Sequence, residues 1–423
     1  MTNAATEEQP VSMRTVVLAS SAGTAFEWYD FFVFGTLASV IGKNFFAELG
    51  DTAGVLAALG LFGAGFFFRP LGALIFGRIG DKAGRKGAFL ITVILMGAAT
   101  FAIGLLPTYA MAGPIAPLLL ILMRIIQGTA LGGEYGGAAI YVAEHSPPGK
   151  RGAMTGWIQT SAAFGLFGAL LVILATRTML GEDAFVAWGW RIPFLASSLL
   201  VAIGLWVRLR IGETPAFREA MEREPPAPVP LARLVRGHLG AVLAGSAGVI
   251  ACFAIFYLAT AYALAQATGA LGYPRETFLA VQLAANCFLA LGIVAAAIAS
   301  DASSPRHVLM LGALATIVLG VLFGPGLGSG SLPVVFATLA GALMVMGLVY
   351  GPLGAWLPTL FPVPVRYSGV SVAFNAGGIV GGAVTPILAQ LLAADGHGAQ
   401  AGWLLSAAGV VTLIGVSLAR PAR

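Results

Sequence analysis

Long apolar runs separated by short polar stretches fill the chain from Thr15 to Leu418. A bilayer core takes roughly 20 apolar residues per helix. On that ruler twelve runs qualify: 15–41, 54–80, 89–106, 117–143, 153–175 and 188–207, then 240–267, 277–299, 308–323, 333–360, 369–394 and 402–418. They are too long and too continuous for barrel strands, which alternate over about ten residues. The pattern predicts an all-α integral membrane protein with twelve transmembrane helices in two six-helix halves. The longest polar segment, with Glu213, Arg218, Glu219, Glu222, Arg223, Glu224 and the cluster Pro225-Pro226-Ala227-Pro228, falls between spans six and seven. The expected organisation is a tail 1–14, an N-terminal half 15–207, a linker 208–239, a C-terminal half 240–418 and a tail 419–423.

Composition agrees. Apolar residues make up 58% of the 423 and charged residues 10%, against about 25% charged in soluble proteins. The 57 glycines suit close helix packing in lipid. The net charge of +5 does not point to nucleic acid, because the basic residues sit in short loops and form no aromatic-laced face. Placing both termini inside puts most lysines and arginines on inner loops, which predicts a multi-pass inner (cell) membrane protein with cytoplasmic termini. No small-residue cleavage site follows a short apolar core near the start, so no cleaved signal peptide is expected. Cys252 and Cys287 fall inside apolar runs and read as a pair of buried packing thiols.

After span two the chain reads Gly77-Arg78-Ile79-Gly80-Asp81-Lys82-Ala83-Gly84-Arg85-Lys86. Gly77 permits close helix approach, Asp81 can face the positive end of a neighbouring helix, and Arg85 and Lys86 hold the loop at the inner headgroups. Glu144, at the end of span four, is placed to pair with Arg85 or Lys86 in an inner gate. The pattern resembles the loop 2–3 signature of the major facilitator superfamily. Between spans eight and nine Asp301 keeps the equivalent place while the glycine-arginine tail is lost. "FEWYDFFVFG" (26–35), "FRPLGALIFGRIGDKAGRK" (68–86), "RIIQGTALGGEYGGA" (124–138), "GWRIPF" (189–194), "ETPAF" (213–217) and "LFPVPVRYSGVSVAFN" (360–375) together resemble the metabolite:proton symporter family of that superfamily. The resemblance implies proton-coupled import of organic acids, or of zwitterions such as proline and betaine. Thr359 stands where that family carries an acid.

Five ionisable residues lie well inside spans: Glu27, Asp30, Arg69, Arg124 and Glu134. Each costs about 2.5–3.5 kcal/mol on insertion scales, so intramembrane charge points to function. All four histidines fall in loops, which leaves a carboxylate to carry any coupled proton. The resemblance implies Asp30 as the protonation site and Arg124 as its partner: a proton on Asp30 frees Arg124 for an anionic cargo. Glu27, three residues from Asp30 on the same helix face, and Glu134 are secondary proton candidates. Arg69 lies near midplane, where it either joins Arg124 in holding a di- or tricarboxylate or pairs with Glu27 or Glu134. Gln159, Tyr257 and Tyr262 read either as substrate contacts or as hydrogen bonds between helices, Gln282, Asn286 and Asn375 as neutral substrate contacts from the C-terminal half, and Tyr29 as a substrate contact lining the cavity or as packing or an interface anchor. Trp28 and Phe31 read as packing or cavity lining.

No P-loop, nucleophile elbow or two-His metal motif appears, so an enzyme is not expected and neither is a metal or other cofactor beyond the proton. The expectation is a monomeric symporter for a small organic anion and protons, working by alternating access. A zwitterion symporter and a non-transporting sensor of the same fold are the alternatives.

Overall fold

The computed structural model describes residues 13–83, 85–132, 142–143, 146–147, 149–209, 231–362 and 365–422. Among them the regular structure is entirely helical. Each predicted span is met by a helical column. Span one is Met13–Thr36 continued by Ala38–Phe45. Spans two to six are Gly50–Ala83, Arg85–Leu105, Ile115–Leu131, Arg151–Leu180 and Arg191–Leu209. Span seven runs Leu231–Tyr257, then a π-turn at Leu258–Tyr262, then Ala263–Gly269. Spans eight to ten are Arg275–Ala302, Pro305–Leu327 and Leu332–Tyr350, the last extended by Leu353–Trp356. Span eleven is Arg366–Gly378, a π-turn at Ile379–Val384 and Thr385–Ala394, and span twelve is Gly402–Leu418. Several helices outrun their apolar cores because polar ends continue the backbone ladder into the interface.

Packing repeats after six spans. Spans one and five, two and four, and three and six pack together; so do seven and eleven, eight and ten, and nine and twelve. Between the halves, span five meets eight and span two meets eleven, contacts that exchange under the same operation. Large apolar side chains such as Leu118, Leu243, Leu311 and Leu322 point outward, where lipid is their solvent. Cys252 is buried but Cys287 is exposed; the expected pair of buried thiols is therefore one buried thiol and one on the outer surface of span eight.

Asp301 shows how the halves are tied. It accepts from the backbone N–H of Gly152 at 2.7 Å and of Ala153 at 2.8 Å. These are orphan donors in the first turn of span five, where the helix dipole favours an anion. The dipole contact anticipated for Asp81 is thus seen at its counterpart in the other half. A Cβ on Gly152 would lie 2.6 Å from the Ala297 carbonyl oxygen and 2.8 Å from Asp301 Oδ1, so the approach depends on glycine. On the opposite face Arg275 Nη2 donates to Ser39 Oγ at 2.8 Å, and Glu182 pairs with Arg177 and stands 3.9 Å from Arg275 Nε.

Candidate functional site

Asp30, in span one, is 2% exposed. Its partner in hydrogen bonding comes from span three: Thr100 Oγ1 donates to Asp30 Oδ2 at 2.9 Å. Thr100 Oγ1 lies the same 2.9 Å from the Met96 carbonyl oxygen. From span four, Gln127 Nε2 donates to Thr100 Oγ1 at 2.5 Å, and Arg124 Nη1 donates to Gln127 Oε1 at 2.8 Å. Asp30 and Arg124 are therefore joined through two neutral side chains, and no direct ion pair links them among the described residues. The simple acid–guanidinium pair implied by resemblance is replaced by a four-member chain.

Arg124 is fully buried. Nη2 donates to the Phe62 carbonyl oxygen at 3.0 Å, and Nε has no acceptor among the described residues. Its guanidinium lies over Phe34, Phe31 and Phe62 at 4.2, 5.0 and 5.3 Å. Arg69, from span two, lies 4.3 Å over Phe66 and 4.4 Å over the same Phe31 ring. Ring faces stabilise desolvated cations by about 2 kcal/mol or more, which lets two guanidinium groups share one buried ring. Phe31, read from sequence as packing or lining, thus holds both.

Glycines set the spacing of spans two and four. A Cβ on Gly128 would sit 2.2 Å from the Gly65 carbonyl oxygen, one on Gly72 1.7 Å from that of Thr129, and one on Gly132 1.8 Å from that of Arg69. Gly128 and Gly132 form the small-xxx-small register of close membrane helix pairs. Gly65 also runs directly beneath Arg124, whose Nη2 lies 3.0 Å from the position of a Cβ there.

The C-terminal half closes the site with aromatic faces. Trp28 meets Phe253, Phe256 and Tyr350 at 6.1, 6.2 and 5.7 Å, and Phe32 stacks on Phe256 at 4.4 Å. Tyr257 packs on Phe62 and Phe66 at 4.9 and 5.8 Å. These rings are buried, so the centre is occluded in this state. Clefts of about 430 and 380 Å³ lie elsewhere, one against Leu319, Leu322 and Val334, the other beside His238 and Arg420.

The other candidates from the sequence divide. Gln159 Nε2 donates to the Tyr350 carbonyl at 2.9 Å and Asn286 Nδ2 to that of Ala163 at 2.8 Å, so both bridge the halves. Asn286 Oδ1 is buried with no donor among the described residues. Gln282 Nε2 donates to the carbonyls of Ala259 and Thr260 at 3.0 and 2.9 Å, inside the span-seven π-turn. Tyr29 donates to the Pro193 carbonyl at 2.9 Å, Tyr262 to that of Gly398 at 3.2 Å and Asn375 to that of Ser371 at 2.9 Å. The first joins span one to span six, the second joins span seven to the turn before span twelve, and the third stays within the helix Arg366–Gly378. Gly84, Glu134 and Glu144 lie outside the described residues, as do the side chains of Glu27, Asp81, Arg85 and Lys86; Gly77 belongs to the span-two helix.

Thr100 and Gln127 carry the link yet were not singled out from sequence. Gln127 is three residues from Arg124 and so on the same helix face, a usable signal. Thr100 is one hydroxyl in an apolar run, and nothing in the run marks it.

The profile of the family described as "Sugar (and other) transporter" matches residues 15–237. The chain is 38% identical over 425 residues to the inner membrane metabolite transport protein YhjE of Escherichia coli, covering 99% of this chain and 96% of that one. It is 36% identical to the shikimate transporter of Escherichia coli (90% and 87% covered) and 33% identical to the proline/betaine transporter of Salmonella typhimurium (90% and 78% covered). Its backbone resembles the crystal structure of the D-xylose-proton symporter with a TM-score of 0.77 at 16% identity, covering 95% of this chain and 97% of that one. It also resembles the partially occluded inward-open xylose transporter XylE of Escherichia coli, with a TM-score of 0.76 at 16% identity over 95% and 96% of the two chains. Identity that low speaks to fold alone.

Proposed function

This chain belongs to the sugar (and other) transporter family of the major facilitator superfamily, whose members are membrane transporters and not enzymes, and we propose that it imports a small organic acid together with protons. The observation that carries this reading is Arg124: a buried guanidinium held, among the described residues, by neutral acceptors with one donor unfilled, and connected to a buried acid. A buried cation without its own carboxylate favours an anionic visitor, because an arginine fork matches a carboxylate bidentately. Arg69 lies over the same ring, and two guanidinium groups so near each other favour a di- or tricarboxylate. Asp30 takes the coupling proton. Cargo binds at midplane between the halves, and rocking of one half against the other exposes it to each side in turn. The protein acts as a monomer in the inner membrane with cytoplasmic termini.

A second reading is a zwitterion symporter. It is favoured by the cluster of Trp28, Phe253 and Phe256, joined to the site through Phe253, whose ring lies 5.8 Å from the Phe66 ring under Arg69, since aromatic faces receive quaternary ammonium groups. Shikimate, proline and betaine, in the names of relatives, each bear one carboxylate, the part both readings assign to Arg124. The test is purified protein in proteoliposomes with an external pH electrode. Adding succinate, citrate, shikimate or glycine betaine one at a time should alkalinise the medium for at least one acid. Flux of D-xylose with none of the acids, or acid flux without proton movement, would refute the reading.

A further inference from the structure

The chain Asp30–Thr100–Gln127–Arg124 has a polarity fixed by chemistry. A guanidinium only donates, so the Gln127 oxygen must face Arg124 and its amide N–H must face Thr100. The Thr100 oxygen therefore accepts from Gln127 in every state. One proton in the chain retains a choice: the Thr100 hydroxyl hydrogen can go to Asp30 Oδ2 or to the Met96 carbonyl, each 2.9 Å away.

We propose that Thr100 and Gln127 are positioning residues that read the protonation state of Asp30 and pass it to Arg124 by reversing that one hydrogen bond. The proposal rests on the reading that Asp30 takes the coupling proton. With Asp30 ionised, the charge-assisted bond wins and Thr100 donates to the carboxylate. Every dipole from Asp30 to Arg124 then points the same way between a negative and a positive end, and each bond strengthens the next. Gln127 Oε1 holds Nη1 firmly. When a proton arrives on Asp30 Oδ2 from solvent, its new O–H needs an acceptor. Thr100 has one lone pair left and takes it, and the hydroxyl hydrogen swings to Met96. The only covalent bond formed is the Asp30 O–H. The anionic end of the chain is gone, and Arg124 is held by a neutral, unpolarised amide. Its fork is then free to turn to a carboxylate.

Among the described residues, the titratable groups that face this chain are these. Arg124 is the charged group opposite Asp30 from another helix, and Tyr29 neighbours it on its own. Arg69 and Tyr257 stand beyond Arg124. Neither Thr100 nor Gln127 titrates, so replacing them leaves the number of charges unchanged and cuts only the connection.

The experiment is pH-difference infrared spectroscopy of purified protein with no cargo added, between about pH 4 and 9. The Asp30 carboxyl band is identified by its loss in Asp30→Asn, and the Arg124 guanidinium band by its loss in Arg124→Lys. In the unaltered protein the two bands should change with one midpoint. In Thr100→Val the carboxyl band should still titrate while the guanidinium response is lost, and Thr100→Ser should restore it. Gln127→Met, which cuts the chain one bond further on, should give the same loss and provides the test should Thr100→Val not fold. A guanidinium band that still follows Asp30 in either apolar variant overturns the relay and leaves Asp30 as the proton site. An unaltered protein whose Asp30 band does not titrate overturns both the relay and the coupling role on which it rests.

Discussion

Arg124 is held by geometry that a lysine does not reproduce. Its planar group spreads over three rings while Nη1 and Nη2 reach acceptors on two different helices. An ammonium is a compact point charge and makes no such fork. Arg124→Lys should therefore keep the charge and the fold but weaken cargo binding by roughly 10–100-fold, on the scale of one lost charge-assisted bond. Isothermal titration with whichever acid moves protons checks it; unchanged affinity would remove Arg124 from the site. The acids and bases of the site were legible in the sequence because charge inside an apolar run is expensive and so conspicuous. The two neutral residues between them were not, because hydroxyls and amides inside helices commonly bond a backbone carbonyl one turn back. Thr160, Thr316 and Asn375 do only that.

Elements are positioned here by contact between backbones. Gly128→Ala would push a methyl into the Gly65 carbonyl; backbone cannot yield as a side chain can, and overpacking costs about 1–3 kcal/mol or more. Thermal unfolding in detergent should show a clear fall, while Gly60→Ala, whose Cβ meets nothing within 4 Å, should be neutral or slightly stabilising. Equal behaviour of the two would mean that spans two and four do not meet as described. The spans themselves could be read directly from apolar length, and the halves from the long polar segment. The π-turns at Leu258–Tyr262 and Ile379–Val384 could not be. A π-turn widens one helical turn without changing hydropathy, and its cause is tertiary: Gln282, from span eight, supplies donors to two carbonyls in the first of them.

At the scale of the whole molecule, the two halves are fastened on both faces in this occluded state: Asp301 on span five at one, Arg275 with Ser39 and Glu182 at the other. Alternating access requires that one fastening open while the other holds. Asp301→Ala leaves two first-turn N–H groups without their anion. Local opening there should become favourable by about 1–3 kcal/mol, or roughly 5–150-fold. Hydrogen exchange at the N-terminal turn of the helix Arg151–Leu180 reads this, and unchanged protection would show that Asp301 does not hold the halves. The claim on which the transport reading depends is that Asp30 couples proton to cargo. It is tested by accumulation against a gradient in proteoliposomes under an imposed inward proton gradient, comparing the unaltered protein with Asp30→Asn. The prediction is that Asp30→Asn loses uphill accumulation yet still exchanges labelled for unlabelled acid at equal concentrations. Uphill accumulation that survives in Asp30→Asn would contradict it.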